Sequence, residues 1–180
     1  MIKVRPFNLP GFRRNDDGAA AIEFAFVAAP FLWLMMAIFE VGLVLLSEYA
    51  IETGTEEAGR MIRTGQVQTQ GLSKQQFKDI VCAGIAAKML DCQNKLYVDV
   101  RQFTTFAAVT LPPPVVNGSL EPQATINSSF TPGAPLDVVV VRTFYDWQLF
   151  TPGISKLANV GSDRRLLSAS AAFRNEPFSN

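Results

Sequence analysis

The stretch GAAAIEFAFVAAPFLWLMMAIFEVGLVLL, residues 18–46, decides how this chain of 180 residues is built. From Ala19 to Leu46 only four residues interrupt the apolar run: Glu23, Pro30, Glu40 and Gly42. A helix of about 20 apolar residues can cross the hydrocarbon core of a bilayer, so residues 19–46 are predicted to form one transmembrane helix. The polar residues after Leu46 do not resemble the small-residue site of an ordinary secretory signal.

The two flanks of this stretch carry opposite charge. Residues 1–18 form a basic leader, with Lys3, Arg5, Arg13 and Arg14. The first residues beyond the span are acidic, with Glu48, Glu52, Glu56 and Glu57. Because basic flanks stay on the cytoplasmic side, we expect a cytoplasmic leader and an exported segment over residues 47–180.

Glu23 is a carboxylate inside the apolar stretch, five residues after Gly18. A charged side chain in a membrane helix costs roughly 2.5 to 3.5 kcal/mol on the milder insertion scale, so it indicates a function and a partner, here an amine. The alternative is a plain signal anchor that is not cleaved. Glu23 lies near one end of the span, where a carboxylate can also reach interfacial water.

Other residues of the span favour contact with a second helix. Ala21, Ala25 and Ala29 recur every four residues, a spacing that lets another helix approach closely, although alanine is also simply a good helix former. Pro30 removes one backbone donor and predicts a kink or local loosening. Glu40 is a second carboxylate, about one turn from the outer end, and is a candidate contact residue or one that merely reaches interfacial water.

The remaining 130 or so residues suffice for one small core. Charge is balanced, with 16 basic and 16 acidic residues in the whole chain, so we expect no nucleic-acid partner. The first helix is predicted to continue to about Thr64, with Gly65 as its C-terminal cap. Ser73 and Gln76 form a capping-box pattern that predicts a second helix to about Leu90.

Alternating or continuous apolar residues predict the strands. Leu96–Phe103 reads as a half-buried strand and Leu136–Trp147 as a central strand covered on both faces. Leu166–Arg174 is a predicted last strand, and a short one is expected near Thr125–Phe130. The expected fold class is therefore α+β, with a long transmembrane helix, a second helix and an antiparallel sheet of three to four strands.

Cys82 and Cys92 lie in the exported segment, where disulfides form. A bridge would close a small loop and contribute about 2 to 3 kcal/mol, with free thiols as the alternative. Two thiolates in a chain that has no histidine leave a tetrahedral metal site incomplete, so we expect no metal.

The sequence gives little support to catalysis. It has no histidine, the commonest general base, and no glycine-rich phosphate or dinucleotide loop. Asp79, Asp91 and Asp99 are expected to be solvated surface residues rather than a carboxylate cluster. We therefore expect no enzymatic activity and no cofactor.

The run from Arg13 to Phe24 resembles the processing site of type IV prepilins, in which a prepilin peptidase cuts after the glycine. The resemblance implies cleavage between Gly18 and Ala19, with Glu23 and Phe24 as recognition or assembly residues. Residues 13–65 look most like TadE-like pseudopilins of the tight adherence (Tad) pilus system. Arg60 and the stretch from Tyr145 to Pro152 are weaker points of similarity.

This resemblance implies a minor pilin that acts in assembling a Tad (Flp) pilus used for surface adherence. The implied partners are the prepilin peptidase, Flp pilin, sibling pseudopilins, the inner-membrane Tad assembly platform and the lipid bilayer. The mature amine at Ala19 would pair with Glu23, within one subunit or between two. The alternatives are a TadF-like sibling, and a single-span periplasmic binding module that is neither processed nor part of a filament.

Overall fold

The computed structural model describes residues 17–83, 91–120 and 129–179. Residues 1–16 of the predicted leader, the continuation of the second helix to Leu90 and most of the predicted strand at Thr125–Phe130 lie outside these ranges. The described part is α+β, as the sequence predicts: a long apolar helix followed by a small domain with a three-stranded antiparallel sheet.

The first helix, α1, runs from Asp17 to Arg63 without interruption and is about 70 Å long. It ends where Gly65 adopts a left-handed conformation, with φ of 79°. The amide of Gly65 donates to the carbonyl of Ile62 at 3.0 Å, which caps the last turn as expected.

Three short helices follow: α2 (Gln66–Thr69), α3 (Lys74–Ala83) and α4 (Cys92–Lys95). The predicted capping box begins α3. The amide of Ser73 donates to Gln76 Oε1 at 2.8 Å, and the amide of Gln76 donates to Ser73 Oγ at 3.3 Å. Two orphan backbone donors are thereby satisfied, which fixes the start of the helix.

The sheet has the order β1-β4-β5, with β1 at Leu96–Phe103, β4 at Val138–Gln148 and β5 at Arg164–Arg174. Strand β4 is central and its first ten residues are buried, which confirms the predicted position. Its register pairs Leu96 with Tyr145 and Tyr145 with Leu167.

One face of the sheet packs on α1 and the other is covered by loops and by a hairpin of β2 (Val115–Val116) and β3 (Ser119–Leu120). The Asn117-Gly118 turn joins the hairpin, and both residues have positive φ, 53° and 73°. Such a pair is typical of a type I′ turn. This hairpin was not predicted from the sequence. A last short helix, α5 (Pro152–Ser155), follows β4.

Candidate functional site along the first helix

The N-terminal half of α1, residues 18–36, stands free of the folded domain. All of its residues are exposed except Ala28, which is partly buried. Phe24, Phe26 and Val27 expose 69% or more of their surface. The helix Gly18–Arg63, to which it belongs, is long and apolar enough to cross a membrane by length and composition, with a mean hydropathy of 2.1 over an 18-residue stretch. This free half is compatible with a single-pass membrane anchor.

The predicted processing residues lie in the first two turns of α1. Gly18 is in the first turn, and nothing comes within 4 Å of a Cβ built there. Ala19, Glu23 and Phe24 are exposed. Glu23 makes no ion pair with a described residue, and it lies one helical turn from Ala19 on the same side. The geometry therefore leaves the Glu23 carboxylate available to an amine at Ala19 or to another chain.

The predicted helix-contact residues of the free half are not covered by any residue that the structure describes. Ala21, Ala25 and Ala29 are all exposed along one side of α1. Pro30 is exposed as well, and helical structure continues through it. This side of the helix is open to lipid or to another helix.

The C-terminal half of α1 is packed against the domain from Ala37 onward. One stripe of residues, spaced by three or four, is buried: Ala37, Glu40, Val44, Ser47, Ile51, Thr55, Ala58 and Ile62. Two small residues permit the close contact. A Cβ built at Gly54 would lie 2.5 Å from the Val81 carbonyl oxygen of α3, and Thr55 shares a 2.6 Å hydrogen bond with Thr143 of β4.

Glu40 marks the junction between the two halves, and it is only 2% exposed. The backbone N–H of Thr151 donates to its Oε2 at 3.1 Å. The backbone N–H of Phe150 and the hydroxyl of Thr151 also donate to this carboxylate. Glu40 therefore reaches donors in the loop before α5 rather than interfacial water, and charge-assisted hydrogen bonds tie that loop to α1.

Sequence reasoning found Glu40 but not its partners. Two of these donors belong to Thr151 and another is the amide of Phe150, 110 residues away along the chain. Backbone amides carry no residue-specific signal in a sequence. The stretch from Tyr145 to Pro152 was noted as a weaker point of similarity to TadE-like pseudopilins, and nothing in its sequence indicated a contact with Glu40.

Cys82 of α3 and Cys92 of α4 form a disulfide, with their Cα atoms 6.0 Å apart. Both residues are buried in the main core. The bridge fastens α3 to the start of β1. Beside it, Lys78 donates to the carbonyl of Gln93, and burial lowers the pKa of Lys78.

Asp99 was predicted to be a solvated surface residue, and that prediction is wrong. Its carboxylate is fully buried on the face of the sheet away from α1. Arg142 Nη2 donates to it at 2.5 Å and Arg101 Nε at 2.9 Å. Arg142 Nη1 also donates to the carbonyl of Pro112 at 2.7 Å. The buried ion pair thus fastens the loop after β1 to the sheet, which is a structural role.

The other two aspartates, Asp79 and Asp91, are exposed. Within residues 17–83, 91–120 and 129–179, no three histidine, cysteine, aspartate or glutamate side chains are grouped so that they could hold a metal ion.

On the outer side of α1, Arg60 donates to Glu57 at 2.6 Å, and this hydrogen bond lowers the pKa of Glu57.

The comparisons with known proteins agree with the segment that the geometry singles out. The family model described as TadE-like protein matches residues 18–60, which contain the free half of α1, Glu40 and most of the packed half. This match supports the identification of the chain as a TadE-like protein of the Tad pilus system. No curated protein and no solved structure matches the chain.

Proposed function

We propose that this TadE-like chain is a pseudopilin, or minor pilin, that a prepilin peptidase cuts after Gly18 and that acts in assembling a Tad pilus for surface adherence. The observation that carries the proposal is the TadE-like match, which begins at Gly18 and extends through the helix to residue 60. It contains the predicted cleavage site, Glu23 and the junction at Glu40.

The exposed half of α1 supports this role. Residues 19–36 would be about 27 Å long as a helix, close to the roughly 30 Å hydrocarbon core. Leaving this surface in water would be costly, because each large apolar side chain favours burial by about 1.5 to 3 kcal/mol. Lipid chains and the apolar helices of sibling subunits are comparable surroundings, so such a helix can move from bilayer to filament at small cost.

Glu23 would then act after processing. The new amine of Ala19 is a cation at the end of an apolar helix, and Glu23 is a carboxylate one turn away. At 4 Å such a pair gains about 4 kcal/mol at an effective dielectric constant of 20, and more where water is excluded. We propose that the pair, within one subunit or between neighbours, sets the axial register of packed helices.

The proposed location is the inner membrane, with the leader in the cytoplasm and the folded domain in the periplasm. The basic leader and the acidic residues after Leu46 support this orientation. The Cys82–Cys92 disulfide supports an oxidising compartment for the domain. Flp pilin, sibling pseudopilins and the inner-membrane assembly platform are the proposed partners.

The decisive experiment is the intact mass and N-terminal sequence of the protein from membranes with and without the prepilin peptidase. We expect a chain that begins at Ala19 only when the peptidase is present. A chain that begins at Met1 in both membranes would overturn processing, and a membrane-anchored module outside the filament would become the better account.

A second test separates assembly from folding. Glu23→Gln should leave the thermal unfolding of the folded domain unchanged, because Glu23 contacts none of it, while pilus number falls. Glu48→Gln is a matched control on the same helix beyond the predicted span and should leave piliation unchanged. Normal piliation in Glu23→Gln would remove the register argument.

A further inference from the structure

A cleft of about 400 Å³ opens at the end of the domain where Glu40 binds its loop. Its apolar wall is formed by Leu43 of α1 together with Tyr145, Trp147 and Phe150. Asp91 and Lys95 also line it. We call these six residues the aromatic cleft. None of the processing or assembly residues discussed above contributes to it.

The aromatic cleft presents an exposed ring that is firmly held. Phe150 is 67% exposed, although its amide donates to the Glu40 carboxylate. Its ring meets Trp147 edge-on, with centroids 6.2 Å apart, and Trp147 lies 6.3 Å from Tyr145. The buried indole Nε1 of Trp147 finds no acceptor among the described residues. The exposed rings and side chains of Phe150 and Leu43 line the same cleft, and a contiguous apolar surface of this kind indicates a contact site.

The position of the aromatic cleft along α1 points to the membrane surface. The free half, residues 18–36, is about 28 Å long and matches the roughly 30 Å hydrocarbon core. Glu40 and Leu43 then lie about 6 to 10 Å beyond it, in the headgroup layer. The cleft is continuous with the apolar anchor through Leu43, which is 42% exposed.

The chemistry of the aromatic cleft fits the same layer. Tryptophan and tyrosine favour the interface between hydrocarbon and water. The Lys95 ammonium and the Asp91 carboxylate match the phosphate and the ammonium of a zwitterionic headgroup. The wall formed by Leu43 and Phe150 suits the upper methylenes of an acyl chain.

We propose that the aromatic cleft binds a zwitterionic phospholipid in the leaflet on the domain's side and so seats the domain on the membrane surface. The inference rests on the proposed single membrane crossing. A membrane crossing by α1 does not by itself require that the folded domain contact lipid, so the lipid site is an additional property of the domain. Because Glu40 fixes the Phe150 backbone to α1, the domain would be held at one height relative to the anchor.

Two single-tryptophan variants test the proposal, since Trp33 and Trp147 are the only tryptophans. In Trp33→Phe the remaining reporter is Trp147 of the cleft, and in Trp147→Phe it is Trp33 of the anchor. Each full chain is reconstituted into phosphatidylcholine vesicles brominated near the headgroup or near the chain end. We expect Trp147 to be quenched at least about twofold more by the shallow bromines than by the deep ones.

The two reporters separate the possible failures. Quenching of Trp33 without quenching of Trp147 would overturn the lipid site while leaving the membrane crossing intact. If neither tryptophan is quenched, the crossing itself fails and the lipid site fails with it. Trp33 is 58% exposed on the free half, so Trp33→Phe should not disturb the folded domain.

Photo-crosslinking gives an independent result that does not require replacement of Trp147. Benzoylphenylalanine at position 150 should acquire the mass of a phospholipid. The matched control is Phe106, which is 54% exposed and follows the opposite end of β1; a crosslinker there should capture no lipid. A crosslink from position 150 to a second protein chain in place of lipid would overturn the proposal.

Discussion

The two halves of α1 belong to one continuous helix but lie in different surroundings. Residues 18–36 project apolar side chains in every direction, and all of these residues are exposed except Ala28, which is partly buried. Residues 37–63 bury one stripe against the sheet and α3 and expose glutamates on the other side. A helix that is apolar all round requires surroundings from outside the chain, whereas an amphipathic helix can bury its apolar side within its own fold.

The largest expected effect distinguishes an inward isoleucine from an outward one. Ile51 is 1% exposed and Ile38 is 60% exposed, both on α1. Ile51→Ala should lower the free energy of unfolding of the domain by about 3 kcal/mol, through lost burial and a cavity. Ile38→Ala should leave it unchanged. Chemical denaturation in detergent micelles measures both, and equal losses would contradict the division into two halves.

Two glycines of α1 provide the next comparison. A methyl group at Gly54 would meet the Val81 carbonyl oxygen, so Gly54→Ala should force α1 and α3 apart and cost about 1 to 3 kcal/mol. Nothing lies within 4 Å of a Cβ at Gly42, and Gly42→Ala should not destabilise the domain. Thermal melting of the two variants gives the answer. A Gly54→Ala protein as stable as the parent would mean that α3 does not approach this closely.

The two carboxylates of the apolar stretch form a third pair. Glu40→Gln should lower the free energy of unfolding by about 1.5 to 3 kcal/mol, because the loop donors lose a charged acceptor. It should also increase proteolytic cleavage between Leu149 and Ser155, a segment that comprises the loop before α5 and α5 itself. Glu23→Gln should change neither quantity. If Glu40→Gln left proteolysis of the loop as it is, the junction would not depend on this carboxylate.

The smallest expected effect is the change in domain stability with pH that results from Tyr145, a buried residue of β4. Burial raises the pKa of Tyr145 to about 12 from an ordinary value of 10.0. The folded state therefore keeps this proton when the unfolded state has lost it. Stability from Tyr145 should be complete below pH 10 and fall by about 1 kcal/mol per pH unit as the pH rises toward 12.

Urea denaturation between pH 8 and 12 compares Tyr145→Phe with Tyr49→Phe, which removes a phenol that is 68% exposed on α1. Tyr145→Phe should flatten the alkaline loss of stability, and Tyr49→Phe should retain it. The same slope in both variants would show that Tyr145 is not the group responsible.

Local patterns predicted most of the elements. The end of α1 at Gly65, the capping box at Ser73 and the strand Leu96–Phe103 each follow from residues that are neighbours in sequence. The four valines from Val138 indicated a strand covered on both faces, as β4 is. These signals are local because caps, turns and strand faces are satisfied within a few residues.

The errors occurred where a distant partner changes the meaning of a residue. Asp99 reads as an outward position of an alternating strand, yet Arg142, 43 residues away, makes its burial possible. The hairpin at Asn117-Gly118 was not predicted, because the strands on its two sides have only two residues each and no clear pattern. Pairing and burial of this kind depend on the finished sheet.

One apolar helix with a carboxylate near its start, followed by a small α+β domain, can be predicted from the amino-acid sequence alone. These properties depend on composition and on spacings of two, three or four residues. The end of the free half of α1, in contrast, is set by tertiary contacts. That boundary lies at Ala37 and Glu40 because the loop before α5 folds back to donate its backbone amides to Glu40. A helix that looks uniform to the end of its apolar run is therefore divided by contacts that close only when the whole domain has folded.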